Sequence, residues 1–404
     1  MNRLLLSLFT FHFSLLTTFA QSLTVEVKNP TADFRHEVVA IPTADVLPTF
    51  HIAGHDVPFR VLEGAALDVP YQLTHDGQLL IEAAVRPHGT ARFVIVPGQP
   101  PKFQTVCHGA LHPERKDDFA WENDRGAYRV YGPALGRTGE RSYGIDVWTK
   151  NTPELVVDDR YYIEDVVMMP RVDSLRRVNR QRGDSLYRIN SYHHDHGRGL
   201  DPYKVGATLG CGAPALMVGD SIVMPYVFNR YEILDDGPLR FTVHLVQNKT
   251  QVDGCEVEEH RIIQLDKQSN FNRMTVWYEG LDHAVSFCSG VVIQREAPEP
   301  VVLGSNYVYY TDPTDQPRVH QAPLYVAALF PNGTVETRRH RGHALGILSD
   351  YRGDRYTYYF GSAWSKYDVR TPQEWQARIE WFLRGLAAPL EVTVHLSCAA
   401  IGLL

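Results

Sequence analysis

Three long segments between residues 239 and 280 constrain the fold most. They read LRFTVHLVQNK, VEEHRIIQLD and FNRMTVWYEG, and the polar segments TQVDGC and DKQSN separate them. Runs rich in β-branched and aromatic residues, interrupted by Asp, Gly and Asn, are typical of strands joined by tight turns. The sequence therefore predicts a meander of long antiparallel strands. Similar short runs before and after it predict an all-β fold, a large antiparallel β-sandwich.

One segment predicts a helix. TPQEWQARIEWFLRGL begins with Thr371 at the N-cap and Pro372 at the first helical position, and Glu374 completes a capping box. Apolar side chains follow at helical spacing, and we expect this C-terminal helix to pack on a sheet. Residues 174–182, SLRRVNRQR, predict a second, shorter helix.

The first residues predict export. Residues 1–20 combine Arg3, an apolar run over residues 4–16 and small residues before Gln21, as signal peptides do. The run is shorter than the roughly 20 residues of a membrane span, so we expect no stable membrane insertion and a periplasmic or extracellular protein. Residues 21–100 are expected to be N-terminal β strands or an accessory β-domain. PGQPP then leads into the main β-sandwich catalytic domain, residues 101–404.

Composition and motifs narrow the function. The net charge is −7 and no lysine-rich face is visible, which disfavours nucleic-acid binding. The chain has no P-loop, no dinucleotide fingerprint and no G-x-S-x-G, so nucleotide cofactors are disfavoured as well. Five cysteines without a C-x-x-C pair disfavour a structural zinc or redox motif.

The first polar stretch is RKDDFAWENDRGAYRVYGPALG, residues 115–136. If it is a strand, Arg125, Arg129 and Tyr131 project from one face. Two arginines beside a tyrosine can hold a planar carboxylate, with Trp121 and Asn123 nearby. The alternative is a buried network of aspartates and arginines that fixes a loop.

The second polar stretch is NSYHHDHGRGLDPYKVGATLGCG, residues 190–212. In an extended chain Tyr192, His194 and His196 share one face, and His193 and Asp195 share the other. An H-x-H pair can bind a metal, and a histidine beside an aspartate suits a base with its orienting acceptor. The pattern therefore allows a divalent metal, with His194 and His196 as its candidate ligands, although the sequence shows no further ligands. The alternative is a polar loop packed between sheets.

A third stretch, YYFGSAWSKYD, places Trp364 beside Lys366 near the end of a strand. An aromatic ring next to a lysine suits sugar stacking, although aromatics at strand ends more often belong to the core. Asp201 and Lys204 can position the loop that carries the histidines.

Together, DFAWENDRGAYRVYGP, YHHDHGRGLDPYKVGATLGCG and YYFGSAWSKYD resemble signature segments of the domain-of-unknown-function family 4861. The resemblance implies an exported bacterial protein of polysaccharide-utilisation loci, as in Bacteroidetes, with a mutarotase-like supersandwich fold. Through a relative that acts on ulvan oligosaccharides, it also implies a dehydratase that eliminates water from a terminal uronate. Arg198 departs from the family pattern, because a glutamate is expected between the two glycines of HGRGLD.

Residues and resemblance combine in one expectation, a carbon–oxygen lyase that acts on an acidic oligosaccharide or polysaccharide. Arg125 would stabilise the carboxylate, His193 or His196 would be the base, and Tyr192 or another histidine would be the acid. The expected substrate-binding residues are Trp121, Asn123, Arg129, Tyr131, Asp195, Lys204, Trp364 and Lys366. Three alternatives remain. The first is a glycoside hydrolase, for which Glu122, Asp124, Asp195 and Asp201 supply carboxylates. The others are a periplasmic glycan-binding protein and an epimerase.

Overall fold

The structure, a computed structural model, describes residues 21–52, 54–64, 67–224, 227–319, 322–333 and 335–397. The predicted signal peptide, residues 1–20, lies outside them. The all-β prediction is confirmed, because antiparallel sheets dominate the chain and a helix follows near the C-terminus. No helix within the described ranges is long and apolar enough to cross a membrane.

Two antiparallel sheets form the main sandwich. The first contains the strands Phe228–Asp235, Arg240–Gln247, Cys255–Asp266, Phe271–Glu279, Tyr356–Trp364, Leu324–Leu329, Tyr307–Asp312 and Val301–Leu303, with Thr250–Val252 paired to the third of these. The second contains Ser221–Val223, Cys211–Val218, Val285–Val292, His343–Tyr351 and Glu336–His340. Val243, Ile263 and Met274 of the first sheet share one core with Phe287 and Leu345 of the second. The predicted meander is therefore confirmed as the middle of the larger sheet.

The N-terminal strands build a separate core. Their sheets contain Ser22–Lys28, Thr90–Pro97, Phe59–Glu63 and Leu67–Asp68, then Arg35–Pro42, Gln78–Val85 and Tyr71–Leu73, with a small pair, His51–Ile52 and His55–Asp56. Short 3-10 turns lie at Thr43–Asp45 and Leu47–Phe50. The last strand, Glu391–Ser397, returns from the far end of the chain and pairs with Ser22–Lys28. Strands from the first and last parts of the described residues thus pair in this unit.

The predicted C-terminal helix is confirmed as Pro372–Ala387. Thr371 Oγ1 accepts a hydrogen bond from the Glu374 N–H at 3.2 Å, which satisfies one of the helix's first donors. Trp375 stacks on Phe271 with 5.1 Å between ring centroids. Burial of this apolar face fixes the helix on the outer side of the larger sheet.

A small sheet and a helical segment complete the fold. The sheet contains His108–His112, Asp118–Glu122, Ala127–Val130 and Asp146–Trp148, and a 3-10 turn lies at Pro113–Arg115. The helices are Pro133–Arg137, Val157–Tyr161, the π-helical Tyr162–Met168, Met169–Val178 and Arg180–Asn190. The helix predicted over 174–182 is in fact the junction of two helices, because Asn179 is extended and caps the second one.

Candidate active site

The loop of residues 191–201, here called the histidine loop, leaves the helix Arg180–Asn190 and is not a strand. The Tyr192 N–H donates to Glu164 Oε2 at 2.7 Å, and Asp195 Oδ1 accepts the N–H groups of Gly197 and Gly199 at 2.9 and 3.2 Å. A Cβ on Gly199 would lie 2.1 Å from the Thr149 carbonyl oxygen, so only glycine fits there. The alternating faces expected of an extended segment therefore do not exist.

The side chain of His193 is held in place by contacts with Asp201. Its side chain is 34% exposed, and Nδ1 lies 3.2 Å from the Asp201 carbonyl oxygen and 3.6 Å from Asp201 Oδ2. The Asp201 side chain is only 2% exposed and accepts a hydrogen bond from Arg129 Nη2 at 3.0 Å. A half-exposed imidazole that is hydrogen-bonded through Nδ1 to a backbone carbonyl, with a buried carboxylate at 3.6 Å, has the arrangement of a general base with its orienting group.

Behind His193, the guanidinium of Arg129 contacts the carboxylates of Asp118, Asp146 and Asp201. We call these four residues the Arg129 cluster. Arg129 Nη2 donates to Asp146 and Asp201, and Nη1 lies 3.6 Å from Asp118 Oδ2. All four side chains are buried. Burial raises the pKa of Asp146 to about 7, although Arg129 opposes the shift, and burial also raises the pKa of Asp118. The cluster can therefore hold a proton near neutral pH.

The π-helical segment adds two more carboxyl groups beside the loop. Burial raises the pKa of Glu164, and burial with repulsion from Glu164 raises the pKa of Asp165 to about 6. Asp165 Oδ2 makes no hydrogen bond to the described residues, which suits a protonated carboxyl group. π-Helical turns are rare and often occur at functional sites.

Tyr192 supports this region and is not exposed to it. Its ring stacks on Trp148 at 4.7 Å, and its hydroxyl accepts a hydrogen bond from Arg115 Nε at 3.1 Å. The residue is buried, and burial raises the pKa of its hydroxyl. A phenol held this way orients the loop and offers no exposed acid to a substrate.

Other predicted residues lie on the outer side of the histidine loop. Asp195 Oδ2 is 3.6 Å from Lys366 Nζ, and Lys366 lies 5.1 Å from the ring centroid of Trp364. Trp364 is buried against Leu200, so its ring offers no stacking surface. Lys366 remains about half exposed beside Asp195.

The remaining histidines and Lys204 occupy different surroundings. His196 Nε2 lies 2.9 Å from the Ser191 carbonyl oxygen and so carries a proton. Lys204 is exposed, and its backbone carbonyl accepts a hydrogen bond from Gln294. The groups of metal-binding side chains found among the described residues contain neither His194 nor His196.

Within the first polar stretch, Arg115 and Arg129 reach the histidine loop. Trp121, Asn123 and Arg125 contact other residues. Trp121 is fully buried and donates to Asn272, and Asn123 caps a turn by accepting the N–H groups of Arg125 and Gly126. The predicted pair of arginines on one face is not formed. Arg125 binds Asp368 at 3.1 Å and also Gln268, whereas Arg129 lies in its cluster with Tyr131 beneath it. The alternative of a buried network of aspartates and arginines describes Arg129 correctly.

Sequence reasoning did not find several residues of the site. Asp146 and Trp148 lie in a segment that reads only as a short strand, and Arg115 begins the first polar stretch without a distinguishing pattern. Glu164 and Asp165 follow an apolar pair in the helical segment, where nothing in the sequence marks them. Tertiary contacts bring these residues together.

A cavity lies in a second region of the molecule, away from the histidine loop. A space of about 270 Å³ lies between the N-terminal strands, the larger sheet and the C-terminal helix. We call it the cation cavity, since its lining includes Arg35, Arg240, Lys267, Arg273 and Arg378. None of its described lining residues belongs to the histidine loop. The cavity therefore lies in one region, whereas the carboxyl groups with raised pKa values lie in another, beside the histidine loop. Acid–base function depends on such titratable groups, so we place the candidate active site at the histidine loop.

The chain belongs to the family described as "Domain of unknown function (DUF4861)", which matches residues 27–392, so the predicted resemblance is confirmed. A relative from Formosa agariphila, "Uncharacterized protein P7", is 26% identical over 342 residues, 78% of each chain.

Two solved structures from Enterococcus faecalis are also similar. An alpha-mannosidase gives a TM-score of 0.46 at 10% identity, over 93% of this chain and 46% of that one. A protein in glycosyl hydrolase family 38 gives 0.45 at 9%, over 95% and 48%. The chain spans about half the length of both.

The predicted carbon–oxygen lyase is corrected by these comparisons. Both similar structures carry the names of glycoside hydrolases, and neither is named as a lyase. TM-scores below 0.5 do not assign an activity to this chain. An activity for this chain is therefore inferred from the side chains of the histidine loop and its neighbours.

Proposed function

We propose that this member of the DUF4861 family is a carbohydrate-active protein that hydrolyses a glycosidic bond at the histidine loop. One observation carries the proposal. His193 is half exposed and fixed by Asp201, and it lies beside buried carboxyl groups that hold protons near neutral pH. Strongly shifted carboxyl groups next to an oriented histidine are typical of acid–base sites.

Hydrolysis of a glycosidic bond needs an acid for the leaving oxygen and a base for the attacking water. Asp165 suits the acid, because its pKa of about 6 keeps a fraction of the carboxyl protonated at neutral pH. His193 suits the base, since the Asp201 carbonyl oxygen orients its ring through Nδ1 at 3.2 Å. Asp201 and Asp146 are buried, so they act through His193 and do not touch the substrate.

The proposal extends to an acidic oligosaccharide as substrate. Lys366 is about half exposed beside the histidine loop, and Asp195 at 3.6 Å only partly neutralises its charge. A sugar carboxylate or sulfate can bind there without burying an unpaired charge. Export to the periplasm or beyond is proposed with it, from residues 1–20.

The test is a panel of neutral, uronate-containing and sulfated oligosaccharides incubated with the mature protein, followed by detection of new reducing ends and of chain length. His193→Gln should lower the rate about 10²- to 10⁴-fold, as for a lost general base. His283→Gln is the matched control and should keep the wild-type rate. His283 is half exposed on the connection between Phe271–Glu279 and Val285–Val292, and none of its ion-pair partners belongs to the histidine loop. No new reducing ends across the panel, or an unchanged rate in His193→Gln, would sink the proposal.

Binding of a glycan without turnover is the second candidate. Its support is the burial of Asp146 and Asp201, which leaves few carboxylates open to a ligand. If this candidate is correct, His193→Gln binds the glycan as tightly as the wild type, and neither protein releases reducing ends.

A further inference from the structure

Two glutamates face each other on the outer surface of the larger sheet. Glu258 on Cys255–Asp266 pairs directly with Glu279 on Phe271–Glu279. Val257 and Glu259, the neighbours of Glu258 along the strand, are buried on the opposite face. Like charges directly opposite each other destabilise a pair of strands unless a cation lies between them.

The imidazole of His260 lies beside both carboxylates. His260 is 7% exposed, and its Nε2 has no hydrogen-bond partner among the described residues. Nε2 is 3.6 Å from Glu258 Oε2 and 3.5 Å from Glu279 Oε1. These distances are too long for hydrogen bonds. They match the roughly 3.4 Å between neighbouring ligand atoms of a tetrahedral zinc ion with bonds of about 2.0–2.1 Å.

The other nitrogen of His260 is also held. His260 Nδ1 lies 3.1 Å from His244 Nε2, and the two rings stack on Trp277 at 4.6 and 5.4 Å. In this contact the His260 Nδ1–H can donate a hydrogen bond to His244 Nε2. A metal-binding histidine commonly donates its second N–H to such an acceptor, which turns the other nitrogen toward the metal.

One cation already contacts the group. Arg230 Nη2 is 3.2 Å from Glu258 Oε2 and offsets part of one charge. Glu279 has no such partner in the described part of the chain apart from His260. A second cation, Arg355, lies over Trp277 with its Cζ 3.8 Å from the ring centroid. The largely exposed Glu279 carboxylate remains open to a metal ion.

We propose that Glu258, His260 and Glu279 bind one divalent metal ion, with Zn²⁺ as the best fit to one imidazole and two carboxylates. The three ligand atoms lie within 4.8 Å of one another. Three protein ligands leave the fourth tetrahedral position to water. This site is separate from the histidine loop and does not depend on the activity proposed there.

The experiment is calorimetric titration of the full mature chain, freed of metal by a chelator, with ZnCl₂. The wild type should show one equivalent of binding that both His260→Gln and Glu279→Gln lose. Glu256→Gln, two residues along the same strand face, removes an equal charge and should keep that equivalent. His283→Gln should keep it too, which separates it from the Cys255, Asp282 and His283 group.

His244→Phe tests the supporting histidine. This change keeps a ring on Trp277 and removes the nitrogen, so Zn²⁺ affinity should fall about 10- to 100-fold while one equivalent still binds. Glu279 is exposed, and circular dichroism of Glu279→Gln should match the wild type, which keeps the test valid even if His260→Gln unfolds.

Two outcomes would overturn the proposal. The first is no saturable Zn²⁺ binding by the wild type together with a protonated His260 Nε2 in its ¹⁵N spectrum at neutral pH, which would make the group an ion pair. The second is an unchanged equivalent in both His260→Gln and Glu279→Gln.

Discussion

The Arg129 cluster and the cation cavity are both rich in arginine and carboxylate, but they balance charge in opposite ways. In the cavity three cations each contact a carboxylate of their own, because Arg35 binds Glu37, Arg240 binds Asp266 and Lys267 binds Glu82. Around Arg129 three carboxylates share one guanidinium. A surplus of buried carboxylates keeps one group protonated, whereas matched pairs keep every group ionised.

The pKa values show the contrast directly. Burial favours a raised pKa for Glu82, but hydrogen bonds from His36 and Lys267 prevail and lower it to about 2. For Asp146 burial prevails over Arg129 and raises the pKa to about 7. Asp146 in the Arg129 cluster and Asp165 beside the histidine loop therefore have pKa values of about 7 and about 6, and the proposed chemistry is placed there.

The largest expected effect comes from removing the shared cation. Arg129→Met leaves three buried carboxylates without their partner, and the free energy of unfolding at pH 7 should fall by about 3–5 kcal/mol. Arg240→Met in the cavity should cost less, because Asp266 keeps access to solvent. Urea unfolding of both variants measures the difference. Equal losses would mean that the two networks do not differ as described.

The pH dependence of stability should also separate the two regions. Asp146 has a folded pKa above its unfolded value, so its ionisation costs stability as the pH rises from about 4 to about 7. The free energy of unfolding should therefore increase between pH 7.5 and pH 5.5. Asp146→Asn should flatten this slope.

The cavity supplies the control for that slope. The folded pKa of Glu82 is lowered, so its stabilisation is complete above about pH 4.5 and is lost as the pH falls toward 2. Glu82→Gln should leave the slope between pH 5.5 and 7.5 unchanged. If Glu82→Gln removes the pH dependence of the free energy of unfolding between pH 5.5 and 7.5 and Asp146→Asn keeps it, the proton is held in the cavity and not in the Arg129 cluster.

The smallest expected effect concerns where an acidic glycan binds. Lys366→Ala should raise KM for an acidic oligosaccharide about 2- to 5-fold, the scale of an exposed ion pair, and should leave kcat nearly unchanged. Arg273→Ala tests the cavity, because the exposed Arg273 lines it and donates to Gln264. If Arg273→Ala raises KM and Lys366→Ala does not, the glycan binds in the cation cavity.

The sandwich was predictable because strand periodicity and turn residues are local, as in residues 239–280. The C-terminal helix was predictable because Thr371 and Glu374 mark its start. The helical segment was not. Tyr162, Ile163 and Val166 on its helices are exposed, so no apolar stripe identifies an inward face. The return of Glu391–Ser397 to the N-terminal sheet is a long-range pairing that no local pattern indicates.

The candidate site was predictable only in part. The density of histidines in one stretch points to the histidine loop and leaves His193 and His196 both open as the base. The contact of Arg129 with Asp201, which singles out the surroundings of His193, joins residues 72 apart. The strand pattern placed Arg125 with Arg129, and the turn capped by Asn123 sends the two side chains to different partners. Sequence therefore located the loop, and tertiary contacts decided its chemistry.

The most direct test of the account is the pH dependence of kcat for oligosaccharide hydrolysis, measured for the wild type and for Asp165→Asn. Asp165 must be protonated to act as the acid, so wild-type kcat should fall as the pH rises through about 6. Asp165→Asn should lose about 10²- to 10⁴-fold in kcat and lose this fall as well. An Asp165→Asn variant with wild-type kcat and the same pH profile would contradict the account.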